Sequence, residues 1–121
     1  MIGQIPLVLV ADDEDEIREL ITFWLWRSGY DVIAVADGEE ALDAAAAFDL
    51  DAAVLDAALP GLDALEGVRR LRSQGAARLP VILTVACAGD LDAAGLADDW
   101  IPKPVDPYEL VARLQAVLGR S

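Results

Sequence analysis

The chain has 121 residues, 22 acidic and 9 basic, and its formal net charge is −13. This length predicts one domain over residues 1–121 that can bury a core without disulfides. Such an acidic domain is not expected to bind nucleic acid or an anionic membrane, and it suits a cation or a partner with a basic face. With no histidine and one cysteine, a Ser-His or Cys-His catalytic pair, an internal disulfide and a Cys-rich zinc site are excluded.

The chain opens with a continuous apolar run, residues 7–11, which predicts a strand covered on both faces. The run is too short for a membrane span or a secretory signal, so we expect a cytoplasmic protein. Acidic residues 12–16 follow, and apolar residues at helical spacing predict a first helix over about 15–28. Phe23 and Trp26 lie off its buried stripe, where they either cover the core edge or form an exposed docking patch.

The remaining elements keep alternating between apolar strands and amphipathic helices. Asp37 with Glu40, and Asp106 with Glu109, have the spacing of capping boxes at helix starts. Between Ala88 and Asp99 a helix would be short. The expected elements are strands over 30–35, 52–55, 80–85 and 100–101, and helices over 38–47, about 62–73, about 90–94 and from 107 onward.

This order of elements predicts an α/β fold. We expect a doubly wound, five-stranded parallel sheet of order 2-1-3-4-5, a flavodoxin-like (βα)5 arrangement with a shortened fourth helix. In this topology we expect the first, third and fifth strands side by side, with their carboxyl ends at one edge of the sheet.

Charged residues follow these strands. Asp12 and Asp13 end the first strand, Asp56 ends the third, and Lys103 follows the fifth. Three close carboxylates repel one another, and a cation lets all of them stay ionised. Oxygen ligands favour Mg²⁺, and a metal together with a lysine suits a phosphoryl group. A carboxylate that attacks phosphorus would give an aspartyl phosphate.

The chain resembles a response-regulator receiver domain of two-component signalling, with a CheY-like fold. The motifs that carry the resemblance are residues 8–14 (VLVADDE), 56–63 (DAALPGLD) and 99–104 (DWIPKP), with 29–32 and 37–42 matching connecting positions. The resemblance covers essentially the whole chain.

The resemblance implies a role for each motif residue. Asp56 would be the phosphoacceptor, and Lys103 would bind the phosphoryl oxygens. Asp13, Asp56 and the backbone carbonyl of Ala58 would bind Mg²⁺ directly, whereas Asp12 would act mainly through water.

The resemblance also implies partners. The first helix would help to dock a histidine kinase or a histidine phosphotransfer protein, and a homodimer stays open. Trp100 occupies the place of the aromatic residue that changes rotamer on activation, although a buried tryptophan is more often plain core. Such a domain catalyses only its own phosphorylation and dephosphorylation, so it is not an enzyme in the usual sense.

The chain departs from the family pattern in three features. Val85 stands where the family has Ser or Thr, and Thr84 lies one residue early, where strand alternation points it to the other face. A one-residue deletion in the fourth strand would restore Thr84 to that role. The segment between this strand and Trp100 is about one helical turn shorter than usual, and Ala64 replaces a common glycine.

Three other functions compete with a working receiver. A degenerate receiver would bind partners without phosphorylation, as Val85 and the short fourth helix suggest. A haloacid-dehalogenase-like phosphatase needs a second acid two residues after its nucleophile, where this chain has Ala58. A nucleotide-binding Rossmann module needs a Gly-rich turn after the first strand, and none follows it.

Overall fold

The computed structural model describes residues 4–74, 79–87 and 95–119. The short helix expected at about 90–94 lies outside the described residues. Within them, no helix is long and apolar enough to cross a membrane. The elements are β1 Leu7–Ala11, α1 Asp15–Arg27, β2 Asp31–Val35, α2 Gly38–Ala47, β3 Ala52–Asp56, α3 Ala64–Gln74, β4 Val81–Val85, β5 Asp99–Pro102 and the C-terminal helix α4 Pro107–Leu118.

All five strands form one parallel sheet in the order β2-β1-β3-β4-β5. This confirms the predicted doubly wound, flavodoxin-like fold. The expectation that β5 lies beside β3 is wrong, because β4 pairs with both of them and separates them. A side chain that follows β5 must therefore reach across the end of β4 to contact β3.

The core has two layers because successive strand residues point to opposite faces of the sheet. Helices α2 and α3 cover one face and helices α1 and α4 cover the other. The first layer includes Leu9, Leu55, Leu83, Ala41, Ala45, Val68 and Leu71. The second includes Val10, Val54, Ile82, Ile21, Leu25, Leu110 and Leu114.

The start of α2 is capped nearly as the sequence predicts. The Oδ1 atom of Asp37 accepts a hydrogen bond from the Glu40 amide at 2.9 Å. The Glu40 carboxylate accepts from the amide of Ala36 at 2.9 Å, one residue before the N-cap. Side chains thus pair one backbone donor that the helix itself leaves unpaired and one donor in the residue before the N-cap.

The start of α4 is capped by one carboxylate alone. The Oδ1 atom of Asp106 accepts from the amides of Tyr108 at 2.8 Å and Glu109 at 3.2 Å. The predicted capping-box role of Glu109 is wrong, because its carboxylate lies 3.0 Å from Arg113 one turn later. The i,i+4 ion pair with Arg113 holds the Glu109 carboxylate along the helix and away from the N-cap amide.

The N-terminus of α2 packs against the loop that follows β3. The amide of Gly38 donates to the carbonyl of Pro60 at 3.0 Å. A Cβ atom at Gly38 would collide with Leu62, so only glycine permits this close approach. This contact fixes the loop that leaves Asp56 at the carboxyl edge of the sheet.

Candidate functional site

Three aspartates converge at the carboxyl edge of the sheet. Ala11 of β1 pairs with Leu55 of β3, so the residues that follow them leave the sheet at the same level. Oxygen atoms of Asp12, Asp13 and Asp56 all lie within 4.8 Å of one another. Asp12 and Asp56 are 2% and 3% exposed, whereas Asp13 is exposed to solvent.

Lys103 reaches this acidic cluster from β5. Its Nζ atom lies 3.0 Å from Oδ1 of Asp56. Its backbone amide donates to the carbonyl of Val85 at 2.9 Å, which continues the pairing of β4 and β5 beyond the strand. The side chain therefore crosses the end of β4 and meets Asp56 on β3.

A backbone amide fixes Asp56 as well. Oδ1 of Asp56 accepts a hydrogen bond from the amide of Ala58 at 3.0 Å, which turns the chain directly after β3. One oxygen atom of this carboxylate is thus held by an amide and an ammonium group together. Ala58 lies beside the cluster, and metal binding by its carbonyl stays a prediction.

The loop between β1 and α1 carries two of the acids and has its own anchors. The Asp12 amide donates to the carbonyl of Val35 at 3.1 Å, and Oδ1 of Asp12 accepts from the Glu14 amide at 2.8 Å. Arg18 of α1 donates to the Asp12 carbonyl at 2.9 Å. Sequence reasoning missed Arg18. The sequence feature that could have indicated Arg18 is its position: it is the first basic residue after five consecutive acids and lies one turn into the helix.

The site disfavours the charged state of one of its own acids. Burial raises the pKa of Asp12, the Glu14 amide lowers it, and the negative charge of Asp56 raises it again, so the pKa lies above its usual value. Burial lowers the pKa of Lys103, but the hydrogen bond to Asp56 and the surrounding acids raise it more. One ammonium therefore faces three carboxylates, and the edge retains excess negative charge.

The donor set fits a hard divalent cation. Mg²⁺ prefers carboxylate oxygens, usually takes one or two carboxylates from the protein and keeps several waters. Two of the acids are buried and held by hydrogen bonds, while Asp13 opens the cluster to solvent and so leaves room for those waters. The residues that are present therefore suit Mg²⁺.

The β4 strand places its hydroxyl on the face that its alternation predicts. Thr84 pairs with Asp56, so both side chains belong to the α1 and α4 side of the sheet, whereas Val85 packs in the other layer. Thr84 is 1% exposed, and its Oγ1 atom has no hydrogen-bond partner within the described part of the chain.

Trp100 is 41% exposed on edge strand β5, so it is not a core residue.

Known proteins resemble the chain in sequence over almost its full length. The family model described as "Response regulator receiver domain" matches residues 8–115. The transcriptional regulatory protein PhoP for alkaline phosphatase synthesis in Bacillus subtilis is 44% identical over a 118-residue alignment that covers 94% of this chain and 49% of that protein. The response regulator MprA of Mycolicibacterium vanbaalenii is 43% identical over 94% of this chain and 51% of its own length. The chain thus spans about half the length of these curated relatives.

Solved structures agree with the sequence relatives. The receiver domain of a sensor histidine kinase from Pseudomonas aeruginosa, with a magnesium ion in its active-site cleft, has a TM-score of 0.86 and 32% identity, covering 96% of this chain and 99% of that one. A putative response regulator from Chloroflexus aurantiacus has a TM-score of 0.84 and 34% identity, covering 97% and 100%. Fold, acidic cluster and sequence together show that this chain belongs to the response regulator receiver domain family of two-component systems.

Proposed function

We propose that residues 1–121 form a phosphoacceptor receiver domain. It takes a phosphoryl group from a histidine kinase or a histidine phosphotransfer protein onto Asp56, with Mg²⁺ bound. One arrangement carries the proposal: three carboxylates within 4.8 Å of one another, with the Lys103 ammonium 3.0 Å from Asp56. This combination of a nucleophile, a cation site and a fixed positive group suits phosphoryl transfer.

The Asp56 carboxylate is the nucleophile in this proposal. It attacks phosphorus, an oxygen–phosphorus bond forms, and the bond from phosphorus to the donor's imidazole nitrogen breaks, so the nitrogen keeps the electron pair. Lys103 and the Ala58 amide hold Oδ1 of Asp56, which fixes the plane of the carboxylate before attack. After the attack, the Lys103 ammonium binds the phosphoryl oxygens and stabilises their negative charge.

Mg²⁺ would supply neutralisation of the phosphoryl charge when it is bound. Asp13, Asp56 and the carbonyl of Ala58 would hold it directly, and Asp12 would act mainly through water. The magnesium ion in the cleft of the related Pseudomonas receiver domain supports this assignment. The domain would catalyse its own phosphorylation and dephosphorylation and no turnover of a separate substrate.

The partner would dock on α1 beside the acidic cluster. Phe23 and Trp26 are 52% and 64% exposed, so both belong to the surface and neither closes the core. Leu20 lies exposed on the same helix, and Tyr108 at the start of α4 is exposed as well. An amphipathic helical bundle of a histidine kinase or phosphotransfer protein suits this apolar strip, and such a partner would place the domain in the cytoplasm.

The direct test is phosphorylation by a small phosphodonor. We expect the domain with Mg²⁺ and acetyl phosphate to gain the mass of one phosphoryl group, and Asp56→Asn to gain none. Asp43→Asn, which removes an exposed acid from α2, is the matched control and should label like the wild type. Labelling of Asp56→Asn at the wild-type rate would contradict the assignment of the phosphoacceptor.

A second candidate function is a receiver that binds its partner without phosphorylation. Val85 has no hydroxyl at the end of β4, where the family has Ser or Thr. The hydroxyl of Thr84 lies on the face of the sheet opposite to Val85. This candidate predicts that Asp56→Ala keeps full partner affinity. The first candidate predicts that affinity changes when Asp56 is phosphorylated, and calorimetric titration with the partner separates the two.

A further inference from the structure

We propose that Arg18 is a positioning residue for the Mg²⁺ site, because it holds the loop that carries Asp12 and Asp13. This inference rests on the proposed function. Arg18 touches neither the proposed metal nor the phosphoryl group. It acts through the backbone of the acidic loop.

Arg18 forms a fork across this loop. Its Nη1 atom donates to the carbonyl oxygen of Asp12 at 2.9 Å, and its Nη2 atom lies 2.6 Å from Oδ1 of Asp15. The Arg18 side chain is only 19% exposed, so its guanidinium group is largely packed against the protein. A planar guanidinium can make both contacts at once in a fixed geometry, which a lysine ammonium does not reproduce.

The carbonyl that Arg18 holds belongs to the peptide that joins Asp12 to Asp13. Fixing this peptide plane fixes the direction in which the Asp13 backbone leaves β1. The Asp12 amide is already held by Val35 and the Asp12 carboxylate by the Glu14 amide. The exposed Asp13 depends on the orientation of the preceding peptide, and Arg18 sets that orientation.

The positive charge of Arg18 disfavours Mg²⁺ binding, whereas the hydrogen bonds by which it holds the loop favour it. Residues 12–16 are five consecutive acids, whose mutual repulsion disfavours a compact loop when no cation is present. A guanidinium beside them holds the metal-free loop compact, but its positive charge also repels Mg²⁺. Variants that keep the charge and variants that remove it therefore distinguish positioning from simple electrostatics.

The experiment compares Arg18→Lys and Arg18→Gln with the wild type by calorimetric titration of the metal-free domain with Mg²⁺. We expect both variants to bind Mg²⁺ roughly tenfold more weakly, because partners that orient metal ligands typically contribute about 10–100-fold to affinity. Arg27→Lys and Arg27→Gln are matched controls on the same helix, where Arg27 lies over the ring of Phe23 and away from the loop. These controls should bind like the wild type.

Hydrogen exchange in the absence of metal gives a second readout. We expect the amides of residues 13–16 to exchange faster in both Arg18 variants, while amides of the buried strand β4 keep wild-type protection and show that the fold is intact. Tighter Mg²⁺ binding by Arg18→Gln with unchanged binding by Arg18→Lys would show that Arg18 acts through charge alone and would overturn the inference. Unchanged binding by both variants would overturn it too, whereas a wild type that binds no Mg²⁺ would overturn the proposed function itself.

Discussion

Asp12 illustrates how one residue serves the site at the expense of stability. Its carboxylate is almost fully buried beside Asp56, and this burial raises its pKa above that of a free aspartate. The folded metal-free domain therefore bears the cost of a poorly solvated charge. A bound cation would remove that cost, so the residue is better suited to the metal-bound state than to the metal-free one.

This cost predicts a stabilising substitution with a defined pH dependence. We expect Asp12→Asn to raise the free energy of unfolding of the metal-free domain by about 1 kcal/mol near neutral pH, a typical gain for such changes. The folded-state pKa is raised, so the penalty is absent below the ordinary aspartate pKa of about 4, grows as the pH rises, and is complete once the pH exceeds the folded-state pKa. The gain should therefore be largest near pH 7 and small near pH 4.

Urea unfolding of both proteins at the two pH values, in the presence of a chelator, measures this difference. The same substitution should weaken Mg²⁺ binding, which separates the stability of the fold from the function of the site. An Asp12→Asn domain that is less stable than the wild type at neutral pH would show that the carboxylate is favourably placed without metal.

Among the elements, β4 and α4 show which features local sequence patterns predict and which depend on side-chain contacts in the folded structure. The alternation of β4 was readable from the sequence, and it puts the buried Thr84 hydroxyl on the α1 and α4 side of the sheet. The start of α4 was readable as well, because Asp106 and Pro107 are typical of a helix N-terminus. Only the role of Glu109 was wrong, since its carboxylate pairs along the helix with Arg113.

This difference between Asp106 and Glu109 predicts that their replacement by alanine changes the free energy of unfolding by different amounts. We expect Asp106→Ala to lower the free energy of unfolding by about 1 kcal/mol, because its carboxylate accepts from two backbone amides that the helix leaves unpaired. Glu109→Ala should lower it by only about 0.3–0.5 kcal/mol, the usual contribution of a helical i,i+4 ion pair. Urea unfolding measures both, and a larger loss for Glu109→Ala would restore the capping-box interpretation.

At the scale of the whole molecule, the net charge of −13 and the acidic edge predict that cation binding is coupled to folding. A ligand that binds the folded state alone stabilises it by mass action. The three converging carboxylates exist as a cluster only in the folded sheet, because β1 and β3 bring them together. Mg²⁺ should therefore bind the native state far better than the unfolded chain.

We expect Mg²⁺ at about one hundred times its Kd to raise the free energy of unfolding by about 2.7 kcal/mol. Asp13→Asn should lose most of this gain without disturbing the core, since Asp13 is exposed. Chemical unfolding with MgCl₂, compared with NaCl at equal ionic strength, measures the specific part. An equal gain in NaCl would mean that salt merely screens the net negative charge.

The sequence by itself determined the order of elements, the sheet order and the residues that end the strands. Apolar periodicity, caps and turn residues are local, so they can be read along the chain, and right-handed crossovers restrict the topology. This was enough to expect Asp12, Asp13 and Asp56 at one edge with Lys103 near them. It also revealed the family, because the motifs occur in order with the family's spacing.

Only the tertiary structure decided which atoms meet. Lys103 spans the end of β4 to contact Asp56, because β4 separates β5 from β3. Arg18 holds the Asp12 carbonyl, and Trp100 lies exposed on an edge strand. Each of these facts depends on register and packing between distant segments, for which a single sequence carries no local signal, whereas helix and strand formation depend on neighbours along the chain.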